Sequence, residues 1–254
     1  MSVIFFILGL FIGSFLNVVI YRLPRNESII SPRSHCPHCG KKIHFFDNIP
    51  VISYMILQGK CRYCKNQISP RYLIVELITA VALVSLYHIF GINLEMLFFS
   101  IFVLILITIS FIDIENMKIL NKIVLPGIAI GLFMTLIFRP DNIVQSILGM
   151  ICGGGVLLSW FYIGKLLFRK KESLGAGDIK FAALIGVFLG VKTTLIALFL
   201  SSLFFTLIAI FLISLKKAKL DSKIPFAPFL ATGALVSMCF GNKLLSWYLN
   251  HFIV

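Results

Sequence analysis

A helix needs about 20 apolar residues to cross ~30 Å of hydrocarbon, and this chain repeats that pattern. Eight apolar runs are expected to cross: residues 3–21, 73–90, 94–112, 123–138, 143–168, 178–191, 193–215 and 224–240. The sixth is short unless it begins at Gly175. Of 254 residues, 59% are hydrophobic and 13% charged, against roughly 45–50% and 25% in soluble domains. The predicted fold class is an all-α polytopic membrane protein with a small insert between its first two spans. The first run reads as a retained span rather than a secretory signal. No Lys or Arg precedes Arg22, and no small-residue cleavage site follows.

The connections between runs alternate in charge. Every second one, beginning with residues 22–71, is basic; together these hold twenty Lys and Arg, and the others three. Basic loops stay on the cytoplasmic side. The chain is therefore predicted to lie in the plasma (inner) membrane with both termini outside. The net charge of +13 becomes an orientation signal. It points to anionic lipid head groups rather than nucleic acid. Glycines four residues apart, at Gly9/Gly13, Gly127/Gly131, Gly149/Gly153 and Gly186/Gly190, predict close helix packing.

This orientation brings two carboxylates to one face. Asp113 ends the third run and Asp178 starts the sixth, so both lie at the cytoplasmic boundary. A carboxylate at a membrane boundary is by default a functional candidate. Two held close together share a proton and titrate as a pair. One can then act as general base on water and the other as general acid. Gly175 and Gly177, just before Asp178, would let a backbone approach closely, and Lys180 follows. The same aspartates could instead cap helices or pair with Lys118 and Lys180. A proton-coupled transporter, or a membrane scaffold with a zinc module, would also carry these features.

The insert, residues 22–72, precedes a seven-helix bundle over residues 73–254; residues 1–21 form the first helix. The insert contains Cys36-x2-Cys39 and Cys61-x2-Cys64 with 21 residues between. Four thiolates in two such knuckles suit one tetrahedral zinc, structural because the site is closed. Two disulfides are the alternative, and the reducing cytoplasm disfavours them. His35, His38 and His44 lie nearby and read as surface residues.

Several stretches together resemble the type IV prepilin peptidases, which are membrane aspartic proteases. They are GSFLNVVIYRLP at residues 13–24, CPHCG, DNIPVISY at 47–54, GKCRYC, ISPRYLIVELITA at 68–80, FIDIENMKI, GAGDIK and FAPFLATGA at 226–234. The resemblance implies eight helices, catalytic Asp113 and Asp178 in a motif with Gly175, Gly177 and Lys180, and zinc on Cys36, Cys39, Cys61 and Cys64. It implies prepilin or pseudopilin substrates, cleaved at the cytoplasmic face. Methylation of the new N-terminus by S-adenosylmethionine is also implied, with no cofactor-binding residues assigned and no Rossmann-type fingerprint present. Two departures stand out. Ile119-Leu120-Asn121 replaces the family's usual Ile-Pro-Asp, and Phe226-Ala227-Pro228-Phe229 replaces FGPF.

Overall fold

The computed structural model describes residues 1–168, 175–216 and 223–252. Leu174 and the loop cations Arg169, Lys170, Lys171, Lys217 and Lys219 lie outside the described residues. The helices are α1 (Ser2–Arg22), α2 (Ile52–Ile56), α3 (Arg71–Phe90), α4 (Leu94–Asn116), α5 (Asn121–Phe138), α6 (Ile143–Phe168), α7 (Ala176–Ser214) and α8 (Ala227–Phe252). Among the described residues there is no strand beyond two isolated antiparallel bridges, His35 with Lys42 and Lys60 with Gln67. Six helices, α1 and α3 to α7, are long and apolar enough to cross a membrane; the apolar part of α8, Ala227–Gly241, is shorter.

The element α7 has 39 residues. Straight, it would measure about 58 Å at 1.5 Å per residue, nearly twice the hydrocarbon thickness. It is not straight. Gly190 sits at φ 72°, ψ 178°, a backbone region essentially closed to residues with a Cβ. The break falls at the end of the sixth apolar run, just before the seventh.

The chain divides into two compact units, Met1–Thr108 and Ile109–Val254. In the first, α1 lies antiparallel against α3. Gly9 abuts the Ala80 backbone and Gly13 the Glu76 backbone, so close that a Cβ at either would collide with α3. One turn further, the Asn17 side-chain amide donates to the Tyr72 carbonyl at 2.9 Å. In the second unit, α6 and the first part of α7 run antiparallel with equal intimacy: Gly149 meets Gly186, and Gly153 meets Ala182. Gly131 of α5 faces Val187 and Phe188. Beyond the break, Gly233 of α8 abuts Ala197 and Ser201, and Ser237 donates to the Thr193 carbonyl at 2.6 Å. Of the spaced glycines, Gly9, Gly13, Gly131, Gly149, Gly153 and Gly186 thus serve close packing, and Gly190 makes the break.

Candidate active site and metal centre

Asp113 lies in the last turn of α4, and its side chain is buried. Its Oδ2 accepts the Ala227 backbone N–H at 3.1 Å, and the Phe226 N–H also bonds the carboxylate. Both donors come from the start of α8. The chain can supply them because Pro228 and Phe229 follow at the first helical turn, where backbone N–H groups have no intrahelical acceptor. After α4 ends, Met117 takes φ 51° and the chain turns into α5.

Asp178 is in the first turn of α7 and half-buried. Its Oδ2 accepts the Gly175 N–H at 3.1 Å, and its own N–H donates to the Gly175 carbonyl at 3.0 Å. It therefore caps its own helix. It also lies close enough to Asp113 to interact with it electrostatically.

The surrounding residues fix this arrangement. A Cβ on Gly177 would come within 2.7 Å of the Ile119 Cβ, so the turn after α4 rests directly on the GAGD backbone. The space beside Gly177 is filled by this chain's own Ile119. Gly175 takes φ −78° and ψ 142°, which any residue can adopt. Lys180 donates from Nζ to Asn121 Oδ1 at 3.0 Å, joining the start of α7 to the start of α5. A lysine partner for Asp178, one reading of the sequence, is thus not what Lys180 provides.

In the first unit, the four sulfurs of Cys36, Cys39, Cys61 and Cys64 lie within 4.8 Å of one another, and Cys36 Sγ is 3.8 Å from Cys64 Sγ. A tetrahedron with metal–sulfur bonds of about 2.3 Å requires sulfurs about 3.8 Å apart. The two knuckles repeat one backbone pattern. Cys36 N–H donates to the Lys41 carbonyl and Gly40 N–H to the Cys36 carbonyl; Cys61 N–H donates to the Asn66 carbonyl and Lys65 N–H to the Cys61 carbonyl. Gly40 and Lys65 occupy the same left-handed position, at φ 68° and 57°. The backbone N–H groups of Cys64 and Tyr63 help draw the Cys61 thiol down to about 7. At Cys64 the Asn66 N–H acts downward too, but burial and the neighbouring thiols push it up to about 11. A divalent cation resolves that conflict by accepting every thiolate. None of the three histidines joins this cluster; His44 bonds the Tyr63 hydroxyl at 2.7 Å.

Known proteins match over nearly the whole chain. Residues 7–90 match the bacterial peptidase A24 N-terminal domain, and residues 99–210 the type IV leader peptidase family. A prepilin leader peptidase/N-methyltransferase of Aeromonas hydrophila is 34% identical over 98% of this chain and 93% of its own length. Proteins of the same name from Legionella pneumophila (32% identical, 98% of this chain, 96% of that protein) and Pseudomonas aeruginosa (30%, 96% and 92%) agree.

The chain belongs to the type IV leader peptidase family. No solved structure matches it. The two matched domains of this leader peptidase relative follow its two units. The N-terminal model spans α1, the cysteine knuckles and α3; the peptidase model contains Asp113 and Asp178. Sequence reasoning missed three features of the site. The main-chain donors of Phe226 and Ala227 carry no side-chain signature, although the proline after Ala227 marks a helix start. Ile119 reads from the sequence as an ordinary apolar residue. Asn121 was noticed as a departure from the family, while its role as acceptor for Lys180 needs the tertiary fold.

Proposed function

We propose that this protein is a membrane aspartic endopeptidase that removes the basic leader from type IV prepilins or pseudopilins at the cytoplasmic membrane face. One observation carries the reading: two aspartates 65 positions apart in sequence come together in one unit, each with one oxygen held by a backbone N–H. Main-chain donors thus hold both carboxylates, the Phe226 N–H adding a second to Asp113. One aspartate takes a proton from water as the water oxygen attacks the scissile carbonyl carbon. The other gives a proton to the leaving amide nitrogen as the C–N bond breaks. Carboxylates fixed in this way suit the positioning that accelerates such a step.

Several features support the membrane arrangement. The Gly190 break divides α7 into two segments, each close to a membrane crossing, which with α8 makes eight spans. The loop charges then put both termini outside, with the zinc insert and both aspartates at the cytoplasmic face. One structural zinc per chain fits the cysteine cluster.

The names of the relatives support a second activity, methylation of the new N-terminus. Bound S-adenosylmethionine would supply the methyl group. The first unit has room for a small ligand. It has a cavity of about 390 Å³, within the usual range for small-molecule sites. That cavity is lined by Arg22 and Arg33 and by no carboxylate, and the buried Asn17 is not part of its lining, so it does not match the cationic methyl donor.

Asp113→Asn and Asp178→Asn, made separately, should each abolish leader cleavage in membranes while insertion stays intact. Cleavage by either variant at the wild-type rate removes the dyad assignment.

A further inference from the structure

The cavity in the first unit follows a membrane helix and carries charge of one sign. Phe11, Phe15 and Val18 of α1 line one side of it, and both phenylalanines are more than half exposed. Arg22, eleven positions after Phe11, lines it too. At 1.5 Å per residue the cavity tracks α1 for about 16 Å, roughly half the hydrocarbon thickness. A small polar metabolite has no use for an apolar wall of that length. An acyl chain in one leaflet of a bilayer does.

The insert supplies the other side, through Ile29, Ile30, Phe45 and Ile49. Ile30 is 87% exposed and Phe45 83%. Such exposure to water is unfavourable, whereas beside the exposed apolar face of α1 both side chains are placed to meet lipid. Arg22 fixes this wall. Its guanidinium donates to the Ser28 and Pro32 carbonyls at 2.9 and 2.7 Å, which pins the loop carrying Ile29, Ile30 and Arg33. That uses two of its five N–H donors. Arg33 also lines the cavity and is exposed. It follows Pro32 directly, so both guanidinium groups come from the same end. Among the described residues no carboxylate pairs with either arginine. The acidic residues of the insert, Glu27 and Asp47, are not in the lining, and Asp47 is taken by Arg62.

Cations at one end and apolar side chains along the rest complement an anionic phospholipid, with phosphate on guanidinium and acyl chain on α1. The same cations repel a basic leader. Resting on the proposed topology only for the choice of leaflet, we propose that this groove holds one anionic phospholipid of the inner leaflet, its phosphate on Arg33 and Arg22 and an acyl chain along Phe11, Phe15 and Val18. The lipid then acts as a joint between the cysteine insert and the first span, with apolar side chains of both against its tail.

The test uses full-length, zinc-loaded protein in neutral detergent, titrated with phosphatidylglycerol or phosphatidylcholine. Native mass spectrometry reads the fraction of protein carrying lipid. Phosphatidylglycerol should bind the wild type about tenfold more tightly or better. Arg33→Gln should remove about tenfold of that preference, the size of a lost charged hydrogen bond, and leave phosphatidylcholine unchanged. Phe15→Ser should weaken both lipids, because the tail contact is common to both, and it decides the matter should Arg33→Gln lose zinc. Lys192→Gln, in the second unit, should change neither. Equal affinity for the two lipids, or affinities unchanged in both groove variants, overturns the site. Glycerol phosphate that displaces phosphatidylglycerol at equal concentration shows that the head group alone is recognised, and overturns the lipid as occupant. Displacement by a prepilin peptide containing its apolar segment gives the groove to the substrate, and overturns it equally. No readout involves peptide cleavage, so each result stands whether or not the aspartates prove catalytic.

Discussion

Gly177 and Ile119 show how little room the aspartate site leaves. The turn that follows Asp113 presses on the backbone that precedes Asp178, with no space for a methyl group. Gly177→Ala should therefore push the two carboxylates apart. An ångström-scale displacement reduces catalysis about a hundredfold, so the rate of leader cleavage should fall on that order. Ile119→Gly in the same chain should restore part of it, because the clash lies at the isoleucine Cβ itself, an atom alanine would keep. Gly175→Ala, at an ordinary backbone conformation, should be far milder. The aspartates are candidates from the sequence alone: each ends or begins an apolar run, and loop charge predicts one face for both. Their hydrogen-bond partners are not legible there. Ala227 contributes a main-chain donor, which every residue but proline carries, and the Ile119 contact joins segments 58 positions apart.

Among the elements, the cysteine knuckles could be read from spacing alone, because two Cys-x2-Cys turns leave few geometries for four sulfurs. The lock beside them could not. Arg62, next to Cys61, donates twice to Asp47, at 2.7 and 2.5 Å. This ion pair and hydrogen bonding hold the Asp47 carboxyl below its ordinary value. Its contribution is therefore present above that value and lost only as pH falls below it. At neutral pH, Asp47→Asn should speed zinc transfer to a chelator while metal analysis still gives one zinc per chain. Cys36→Ser should go further and expose residues 22–72 to protease, since a small closed metal site supplies folding energy directly. The α6–α7 contact is a different kind of lock. A Cβ on Gly186 would overlap the Gly149 carbonyl, and overpacking of this kind destabilises by about 1–3 kcal/mol. Gly186→Ala should lower the thermal midpoint of the purified protein accordingly. Four-residue glycine spacing announced this contact but not its partner helix, because the pattern is identical for any close pair.

For the whole molecule, the run lengths and loop charges predicted the path of the chain, while Gly190 looked like one more packing glycine. Its conformation breaks α7 into two segments, which on the proposed topology are two crossings. An impermeant thiol reagent should label Lys192→Cys from outside the cell, and Lys118→Cys only after the membrane is opened. The reverse result would invert the topology. Gly190→Ala should cost about 1–3 kcal/mol through forced backbone strain. The order in which the chain is made adds a constraint that no pairwise contact expresses. Asp113 and Asp178 are synthesised early, but the N–H that holds Asp113 belongs to Ala227, at the start of α8. A ribosome must therefore translate past Ala227 before the site is complete. A chain stopped short of α8 carries both carboxylates into the membrane with Asp113 unsupported. Quality control is written into the order of synthesis: only a chain carried through to its last helix is equipped to cut another.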